Sequence, residues 1–217
     1  MGEVLQRVRV LRLGLIEYEI ALKKMRDFTL QRDADTADEL WLLEHPPVYT
    51  LGLAADASYG PKAGSGIPVV QIERGGEVTY HGPGQLVMYT LVDLARRGIK
   101  VKQFVSMLEQ SVIDLLGACG ETRGERSVVR AERVAGMPGV YVDGAKVAAL
   151  GIRVSRGCAF HGLALNVDMD LAPFDAIDPC GYPGLKVTQT RDLQFDFSVE
   201  SAGTKLAGLL MERLEHA

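Results

Sequence analysis

The segment Asp178-Pro-Cys-Gly-Tyr-Pro-Gly184 carries the cysteine best placed for chemistry. Its two prolines and two glycines would hold a loop in a defined shape. A cysteine displayed on such a loop can act as a nucleophile, because nearby backbone N–H groups can stabilise an oxyanion. The alternative is a free cysteine on a surface loop, and the sequence context favours neither. Cys119, at the end of an amphipathic helix, and Cys158, at the start of a strand, are more simply small buried hydrophobic residues.

Lys146 is the second candidate, because it interrupts the otherwise apolar run Ala145–Ile152. Lysine is rarely buried without a partner, but alternation along a strand would also let this side chain point into solvent. If it faces a pocket, its ammonium would favour a neighbouring thiolate and lower the pKa of that thiol, and the neutral amine could act as a base. Lys146 and Cys180 are distant in sequence, so only the tertiary fold can bring them together.

The segment Arg74–Tyr89 is rich in glycine and runs directly into an apolar strand. Gly75-Gly76 lets the backbone approach a ligand closely, and Gly82-Pro83-Gly84 fixes a second turn. A glycine-rich loop that leads into a buried strand is a common way to hold a ligand. A turn-rich hairpin without a ligand would have the same composition, so composition alone leaves both alternatives open.

Several functional classes are excluded or disfavoured. The sequence contains no Walker loop, HExxH, GxSxG or strand-linked GxGxxG motif, and its four histidines lack metal-ligand spacing, so we expect no metal and no cofactor. Three cysteines without CxxC spacing indicate neither a disulfide framework nor a zinc site. A net charge of −4 disfavours non-specific nucleic-acid binding. No apolar run approaches the roughly 18 residues that span a bilayer, and no signal peptide is recognisable, so we expect a cytoplasmic protein.

Hydrophobic periodicity and turn residues predict the elements that must position these residues. Asp143-Gly144 suits a type I′ turn and predicts a hairpin, and Arg156-Gly157 forms the next turn. Gly14 is expected to end the first strand. We predict strands over residues 7–13, 40–44, 48–51, 69–72, 85–92, 139–154 (the hairpin) and 158–167, helices over 15–34, 101–119 and 197–214, exposed or irregular loops over 54–68 and 170–188, and a polar basic stretch over 123–133.

The 217 residues are enough for one large domain or two small ones. The order of elements predicts an α/β (α+β) protein with a mixed β-sheet and helices packed mainly on one side. We expect residues 1–217 to form a single catalytic domain.

Four short blocks, in order along the chain, give the sequence a family resemblance. The block Arg74–Gln85 resembles a signature of the LipB-type octanoyltransferases, and so do Asp143–Gly151, Phe160–Val167 and Asp178–Gly181. These enzymes are the lipoyl(octanoyl) transferases of lipoate biosynthesis. The resemblance implies a fold like that of biotin and lipoate protein ligases, and an acyltransferase that uses neither ATP nor a metal.

The resemblance also implies roles for particular residues. Cys180 would accept the octanoyl group as a thioester, and Lys146 would lower the pKa of that thiol and shuttle protons. The donor would be octanoyl-acyl carrier protein, and the acceptors would be lysines on lipoyl domains of 2-oxoacid dehydrogenase E2 subunits and glycine cleavage H protein, with no nucleic acid or membrane involved. The substrate-binding residues would be Arg74, Gly75, Gly76, Glu77, Val78, Thr79, Tyr80, His81, Ala149, Leu150, Gly151, Gly162, Leu163 and Ala164.

A basic patch would suit an acidic carrier protein. The candidates are Arg96, Arg97, Lys100 and Lys102, or Arg123, Arg126 and Arg130, although a solvated charged face also explains either cluster.

Two other functions stay open from the sequence. An ATP-dependent lipoate or biotin protein ligase on the same fold could use Lys146 without needing Cys180. A non-catalytic module could bind an acyl carrier or lipoyl domain without moving an acyl group.

Overall fold

The computed structural model describes residues 8–55, 60–61, 66–120, 129–178 and 184–217. Within these ranges a seven-stranded mixed sheet has the order β1-β2-β6-β10-β9-β8-β7, and a three-stranded sheet has the order β4-β3-β5. Only β1 and β2 are parallel neighbours in the large sheet. The strands are β1 (Arg9–Leu15), β2 (Glu39–Glu44), β3 (Val48–Leu51), β4 (Val69–Gln71), β5 (Val78–His81), β6 (Gln85–Asp93), β7 (Ala131–Val134), β8 (Met137–Val142), β9 (Ala145–Ser155) and β10 (Cys158–Asn166).

The large sheet is centred on β6 and β10, whose residues are almost all buried. Both faces of these strands are covered, so their sequences are nearly continuous apolar runs rather than strict alternations. On one face, α2 (Val101–Gly120) and α3 (Val199–Glu215) complete the larger hydrophobic core. On the other face, α1 (Tyr18–Gln31) packs over β6 and β10. The predicted mixed sheet flanked by helices is confirmed, with two of the three helices on one side.

The two tight turns around β9 follow the sequence prediction. Asp143 and Gly144 have φ values of 50° and 77°, and Arg156 and Gly157 have φ values of 49° and 81°. Left-handed backbone at both central residues is the requirement of a type I′ turn. These turns set the register of β8, β9 and β10, and therefore fix which side chains share a face.

The first strand was predicted wrongly at Gly14. This glycine has a φ of 64° and lies at a register shift inside β1, so it forms a bulge and the strand continues to Leu15. A bulge glycine and a terminating glycine have the same local sequence signal, which explains the error. As a result, α1 begins at Tyr18 rather than Leu15 and ends at Gln31.

Other predicted boundaries also need correction. The last helix begins at Val199, after the capping residue Ser198, rather than at residue 197. The polar stretch 123–133 overlaps strand β7, and the irregular stretch 170–188 contains a 3₁₀-helix over Ala172–Ala176. Strand β5 was not predicted. Parts of the predicted 54–68 and 170–188 loops lie outside the described residues.

No helix in the described ranges is long and apolar enough to cross a membrane.

A buried ion cluster joins α1, the end of β6 and the start of β2. The carboxylate of Asp38 is fully buried and accepts hydrogen bonds from Arg32 at 2.6 Å, Arg96 at 2.8 Å and Arg97 at 2.6 Å. The backbone N–H of Asp93 also donates to it at 2.9 Å. Arg96 and Arg97 are therefore structural, and this corrects their assignment to a basic docking patch.

Replacing Asp38 with asparagine is expected to lower the free energy of unfolding by about 3–5 kcal/mol, because it leaves buried arginines without their counter-ion. Burial alone would raise the pKa of Asp38, but the Asp93 N–H and the arginines outweigh it and hold that pKa below its usual value. The stabilisation is thus present at neutral pH and is lost as pH falls through the lowered pKa of the folded state. Urea denaturation at several pH values measures both effects.

Asp27→Asn is the control for this prediction. Asp27 forms an exposed pair with Lys23, so its replacement should change the free energy of unfolding by less than about 1 kcal/mol. An equally small effect at Asp38 would contradict a structural role for the buried ion cluster.

Candidate active site

A cleft lies on the α1 side of β6, β9 and β10, beneath the glycine-rich segment that precedes β5. It has a cavity volume of about 60 Å³ and is partly open at its mouth. Thirteen of the predicted site residues lie on its lining. They are Arg74, Gly76, Glu77, Val78, Thr79, His81, Lys146, Ala149, Leu150, Gly151, Gly162, Leu163 and Ala164.

Lys146 lies at one end of the cleft with only 3% of its surface exposed. Its ammonium donates a hydrogen bond to the backbone carbonyl of Pro138 at 3.3 Å and lies 5.2 Å from the centre of the Tyr141 ring. The side chain therefore points into the protein, and the solvent-facing alternative is excluded. A buried cation with a carbonyl and an aromatic face as neighbours is well placed to stabilise a nearby anion.

The backbone of Lys146 also holds the chain that follows Cys180. The N–H of Lys146 donates to the carbonyl of Lys186 at 2.8 Å, and the N–H of Thr188 donates to the carbonyl of Lys146 at 2.9 Å. Val187, between them, lines the cleft, and so does Phe174 on the other side of the cysteine segment. Cys180 itself lies outside the described residues.

Arg74 fixes the glycine-rich segment over the sheet. Its guanidinium donates to the carbonyl and hydroxyl oxygens of Thr50 at 2.9 and 3.0 Å, and to the carbonyl of Gly75 at 3.0 Å. The N–H of Gly75 in turn donates to the carbonyl of Ile152 at 3.0 Å. The arginine lines the cleft, but these bonds show that it also holds the wall of the cleft in place.

Gly151 is the point where this wall meets β9. A Cβ atom there would lie 2.8 Å from the carbonyl oxygen of Gly75 and 2.9 Å from Cδ of Arg74, closer than side chains pack. Gly151→Ala is therefore expected to displace the wall and lower the free energy of unfolding by about 1–3 kcal/mol. Urea denaturation measures the change. Gly208→Ala in α3, where a Cβ meets nothing within 4 Å, should be neutral or stabilising; equal effects at the two sites would contradict the close approach.

His81 belongs to a hydrogen-bond chain with a single consistent direction. Arg74 donates to the hydroxyl of Thr50, and that hydroxyl lies 3.4 Å from Nε2 of His81. Nδ1 of His81 lies 2.7 Å from the side-chain oxygen of Gln85, whose amide donates to Asn166. The Gln85 oxygen can only accept, so Nδ1 of His81 carries a proton, and in a neutral ring Nε2 accepts from the Thr50 hydroxyl. Burial, reinforced by the nearby His45 and Arg74 and partly opposed by the hydrogen bond to Gln85, lowers the pKa of His81 to about 3, so the ring is neutral at pH 7.

A second chain of hydrogen bonds supports the side of the cleft that faces α1. Nδ1 of His45 lies 2.7 Å from the carbonyl of Ile16, and Nε2 lies 2.7 Å from the hydroxyl of Tyr89. The carbonyl can only accept, so Nδ1 carries the proton and Tyr89 donates to Nε2. Burial lowers the pKa of His45 to about 4 and raises that of Tyr18, beside Tyr89, to about 12. All these groups are therefore neutral at physiological pH.

Of the predicted site residues that the structure describes, two are not on the cleft lining. Tyr80 is buried against Tyr49 and Phe174, with ring centres 5.4 and 5.6 Å apart, in the core beneath the small sheet. Gly75 lines a neighbouring groove instead. The side chain of Tyr80, a predicted substrate-binding residue, is thus held within the protein core.

Sequence reasoning missed eight residues of the lining. Alternation along β6 relates Gln85, Val87 and Tyr89, so the period-two pattern of the strand was a usable signal for three of them. The others depend on elements distant in sequence. The eight are Tyr18, Gln85, Val87, Tyr89, His161, Asn166, Phe174 and Val187.

Among the described residues, no group of three or more histidine, cysteine, aspartate or glutamate side chains could hold a metal ion.

Comparisons with known proteins place the chain in a family. The family described as lipoyl protein ligase A/B catalytic domain matches residues 17–208. The octanoyltransferase of Thiobacillus denitrificans is 57% identical over 205 residues, which cover 94% of this chain and 90% of that protein. The octanoyltransferase of Dechloromonas aromatica is 52% identical over 206 residues, which cover 95% and 96%.

Solved structures share the fold at low sequence identity. A bipartite lipoate protein ligase from Thermoplasma acidophilum, described together with its E2 lipoyl domain, has a TM-score of 0.77 at 16% identity, and the match covers 97% of this chain and 84% of that chain. The biotin protein ligase of Aquifex aeolicus has a TM-score of 0.55 at 13% identity and covers 98% and 71%. The predicted fold class is confirmed. Because its relatives are 52–57% identical over almost their whole length, the chain belongs to the lipoyl protein ligase A/B catalytic domain family and, within it, to the octanoyltransferases.

Proposed function

We propose that this protein transfers an octanoyl group from octanoyl-acyl carrier protein to a lysine of a lipoyl domain, through a thioester on Cys180, in lipoate biosynthesis. The observation that carries the proposal is the buried ammonium of Lys146 at the end of an apolar cleft, in a chain 57% identical to an octanoyltransferase. The proposal treats residues 1–217 as one catalytic domain that acts in the cytoplasm.

The flanks of the cysteine segment support a role for Cys180 beside Lys146. Phe174 and Val187 both line the cleft, six residues before and seven residues after the cysteine. Val187 forms a bridge with Lys146 itself. We infer from these two flanks that Cys180 acts beside Lys146. In this arrangement the ammonium of Lys146 favours the thiolate of Cys180.

The reaction then proceeds in two balanced steps. The Cys180 thiolate attacks the thioester carbonyl of the donor, a new thioester bond forms, and the carrier thiolate leaves with a proton from Lys146. The amine of the acceptor lysine next attacks the acyl-enzyme, an amide bond forms, and the Cys180 thiolate leaves while Lys146 takes up the proton from the amine. Exchange of one thioester for another is nearly isoenergetic and amide formation from a thioester is downhill, so no nucleotide is consumed. Two protein substrates can therefore use one site in turn.

The floor of the cleft suits an acyl chain. Ala149, Gly151, Gly162 and Ala164 lie side by side on β9 and β10, where Ala149 pairs with Ala164 and Gly151 with Gly162. The small side chains of Ala149 and Ala164 leave apolar space beside the point where Gly151 admits the close approach of the glycine-rich segment. Each methylene group buried there contributes roughly 0.8 kcal/mol of binding free energy.

A second groove provides a route for the arm of the donor. It borders the cleft at Gly76, Glu77 and Gly151 and extends to Met137 and Pro138. The carbonyl of Pro138 accepts the hydrogen bond from Lys146. A pantetheine arm in this groove would thus deliver its thioester to the reacting end of the cleft.

The first test is incubation of the wild-type protein with octanoyl-acyl carrier protein, without ATP, followed by intact-mass measurement. We expect an octanoyl adduct that disappears when a lipoyl domain is added, together with octanoylation of that domain. An unmodified protein and an unmodified lipoyl domain would overturn the proposal.

An ATP-dependent ligase is the second candidate, because the fold resembles that of a lipoate protein ligase. Incubation with ATP, free octanoate and a lipoyl domain distinguishes it. Release of pyrophosphate with acylation of the domain would select the ligase, whereas binding of both proteins without acyl movement under either condition would select a non-catalytic module.

A further inference from the structure

His161 has an unusual backbone conformation in the middle of β10. Its φ is 61°, in the left-handed region that non-glycine residues rarely adopt inside a strand. Regular alternation would place its side chain on the α2/α3 face, with Ala159 and Leu163. Instead its ring stacks on Phe160 at 4.9 Å and meets the edge of Tyr89 at 6.1 Å, on the opposite face. The strained backbone thus turns the imidazole into the cleft.

The imidazole of His161 also has no hydrogen-bond partner among the residues that the structure describes. The side chain is buried, with 2% of the residue exposed, and neither ring nitrogen has a partner. His45 and His81, which are buried nearby, both use their two ring nitrogens. Unsatisfied buried nitrogens and a left-handed φ both carry a free-energy penalty, so a structure that keeps both points to a function for this side chain.

His161 and Lys146 lie at opposite ends of the cleft. His161 pairs with Ile152 on β9. The side chain of Lys146 extends along the sheet to Gly139, which pairs with Ala149 on the same strand. The ammonium therefore lies about 10 Å along the strand from the level of His161, which is close to the length of an extended eight-carbon chain. The small residues Ala149, Ala164, Gly151 and Gly162 form the floor between them. An acyl chain whose carbonyl lies beside Lys146 therefore extends its methyl end over this floor towards His161.

We propose that His161 determines the acyl-chain length that the cleft accepts, because its two ring nitrogens keep the far end of an otherwise apolar slot polar. This inference rests on the proposed octanoyl transfer, which fixes the reacting end of the chain beside Lys146. A longer chain would press methylene groups against the ring nitrogens and exclude the polar partners that could satisfy them. The resulting penalty offsets the gain from burying additional methylene groups, so affinity stops increasing with length.

The ring acts as a polar but uncharged group. Burial lowers the pKa of His161 to about 3, in part opposed by Glu73 and reinforced by Arg74 and Arg26. At neutral pH it therefore offers one donor and one acceptor. An uncharged ring tolerates the methyl end of a chain of the right length, whereas a buried imidazolium would repel it.

The test measures binding rather than transfer. S-alkyl pantetheine thioethers with chains of six, eight, ten and twelve carbons are titrated calorimetrically into the wild type and into two variants. His161→Leu replaces the ring with an apolar side chain of similar size, and His161→Asn keeps a polar group and tolerates a left-handed φ. Thermal melts check that each variant is folded. If His161→Leu does not fold, His161→Gly, which accepts the same backbone conformation, replaces it.

We expect the wild type and His161→Asn to bind the eight-carbon analogue most tightly. In His161→Leu, affinity for the ten-carbon analogue should rise about tenfold relative to the eight-carbon one, as expected for two more buried methylene groups. The same length profile in all variants would overturn the inference, and so would a wild type whose affinity keeps increasing to twelve carbons. A wild type that prefers eight carbons but transfers no octanoyl group would overturn the proposed function alone.

Discussion

Replacing Cys180 with alanine is expected to abolish the octanoyl adduct and to reduce transfer to a lipoyl domain by about 10⁴-fold or more. The proposed mechanism splits the transfer into two steps that share one covalent intermediate, so removal of the nucleophile removes both steps together. Intact-mass measurement after incubation with octanoyl-acyl carrier protein detects the adduct. A gel-shift or mass assay of the lipoyl domain measures the transfer.

Cys158 provides the matched control in the same chain. Its thiol is buried in β10, and its only described hydrogen bond is a long one of 3.7 Å to the carbonyl of Arg156. Burial raises the pKa of the Cys158 thiol, which disfavours the reactive thiolate. Cys158→Ala should therefore keep the adduct. An adduct that survives in Cys180→Ala but disappears in Cys158→Ala would show that the nucleophile is Cys158 and not Cys180.

Replacing Lys146 with methionine is expected to reduce octanoyl transfer by about 10²–10⁴-fold, the usual range for loss of a general acid–base group. Methionine preserves most of the volume of the buried side chain but removes its charge and its proton. Without the ammonium, the Cys180 thiolate loses its stabilising neighbour, so the midpoint of Cys180 alkylation should move to higher pH. Peptide mass spectrometry of iodoacetamide labelling across a pH series measures this midpoint.

Lys186→Met is the control for Lys146, because the two residues share the same backbone bridge. Lys186 is exposed, and its carbonyl oxygen accepts the hydrogen bond from the Lys146 N–H whatever its side chain. This variant should keep both transfer and the alkylation midpoint. A Lys146→Met protein whose midpoint is unchanged would rule out an electrostatic role for the ammonium, even if transfer were slow.

Much of the local structure could be predicted because it depends on neighbouring residues. The Asp143-Gly144 turn is specified by two residues that tolerate positive φ, and alternation then indicates which residues of the hairpin share a face. Gly14 shows the limit of such reasoning, because a glycine at positive φ can either end a strand or form a bulge. The distinction depends on the register with β2, which begins at Glu39.

The small sheet could not be predicted from local patterns. Its strands have only three or four residues each, and their pairing joins residues near position 49 to residues near positions 69 and 80. This pairing buries Tyr80 in a core with Tyr49 and Phe174 and removes it from the cleft lining that the sequence had assigned to it. Short strands carry too few residues for a periodic signal.

The sequence by itself determined the residue types with reactive potential, the turns around β9 and the four blocks that resemble the octanoyltransferases. Only the tertiary structure decided that Lys146 points into the protein and that Arg74 holds the glycine-rich segment in place by hydrogen bonds. It also decided that the His161 side chain lies on the cleft side of β10, although regular alternation along the strand would place it on the α2/α3 face. The physical reason is the range of the interactions. Turns and alternation depend on residues a few positions apart, whereas the lining of the cleft brings together Tyr18, Arg74, Lys146 and His161 through pairing between distant strands.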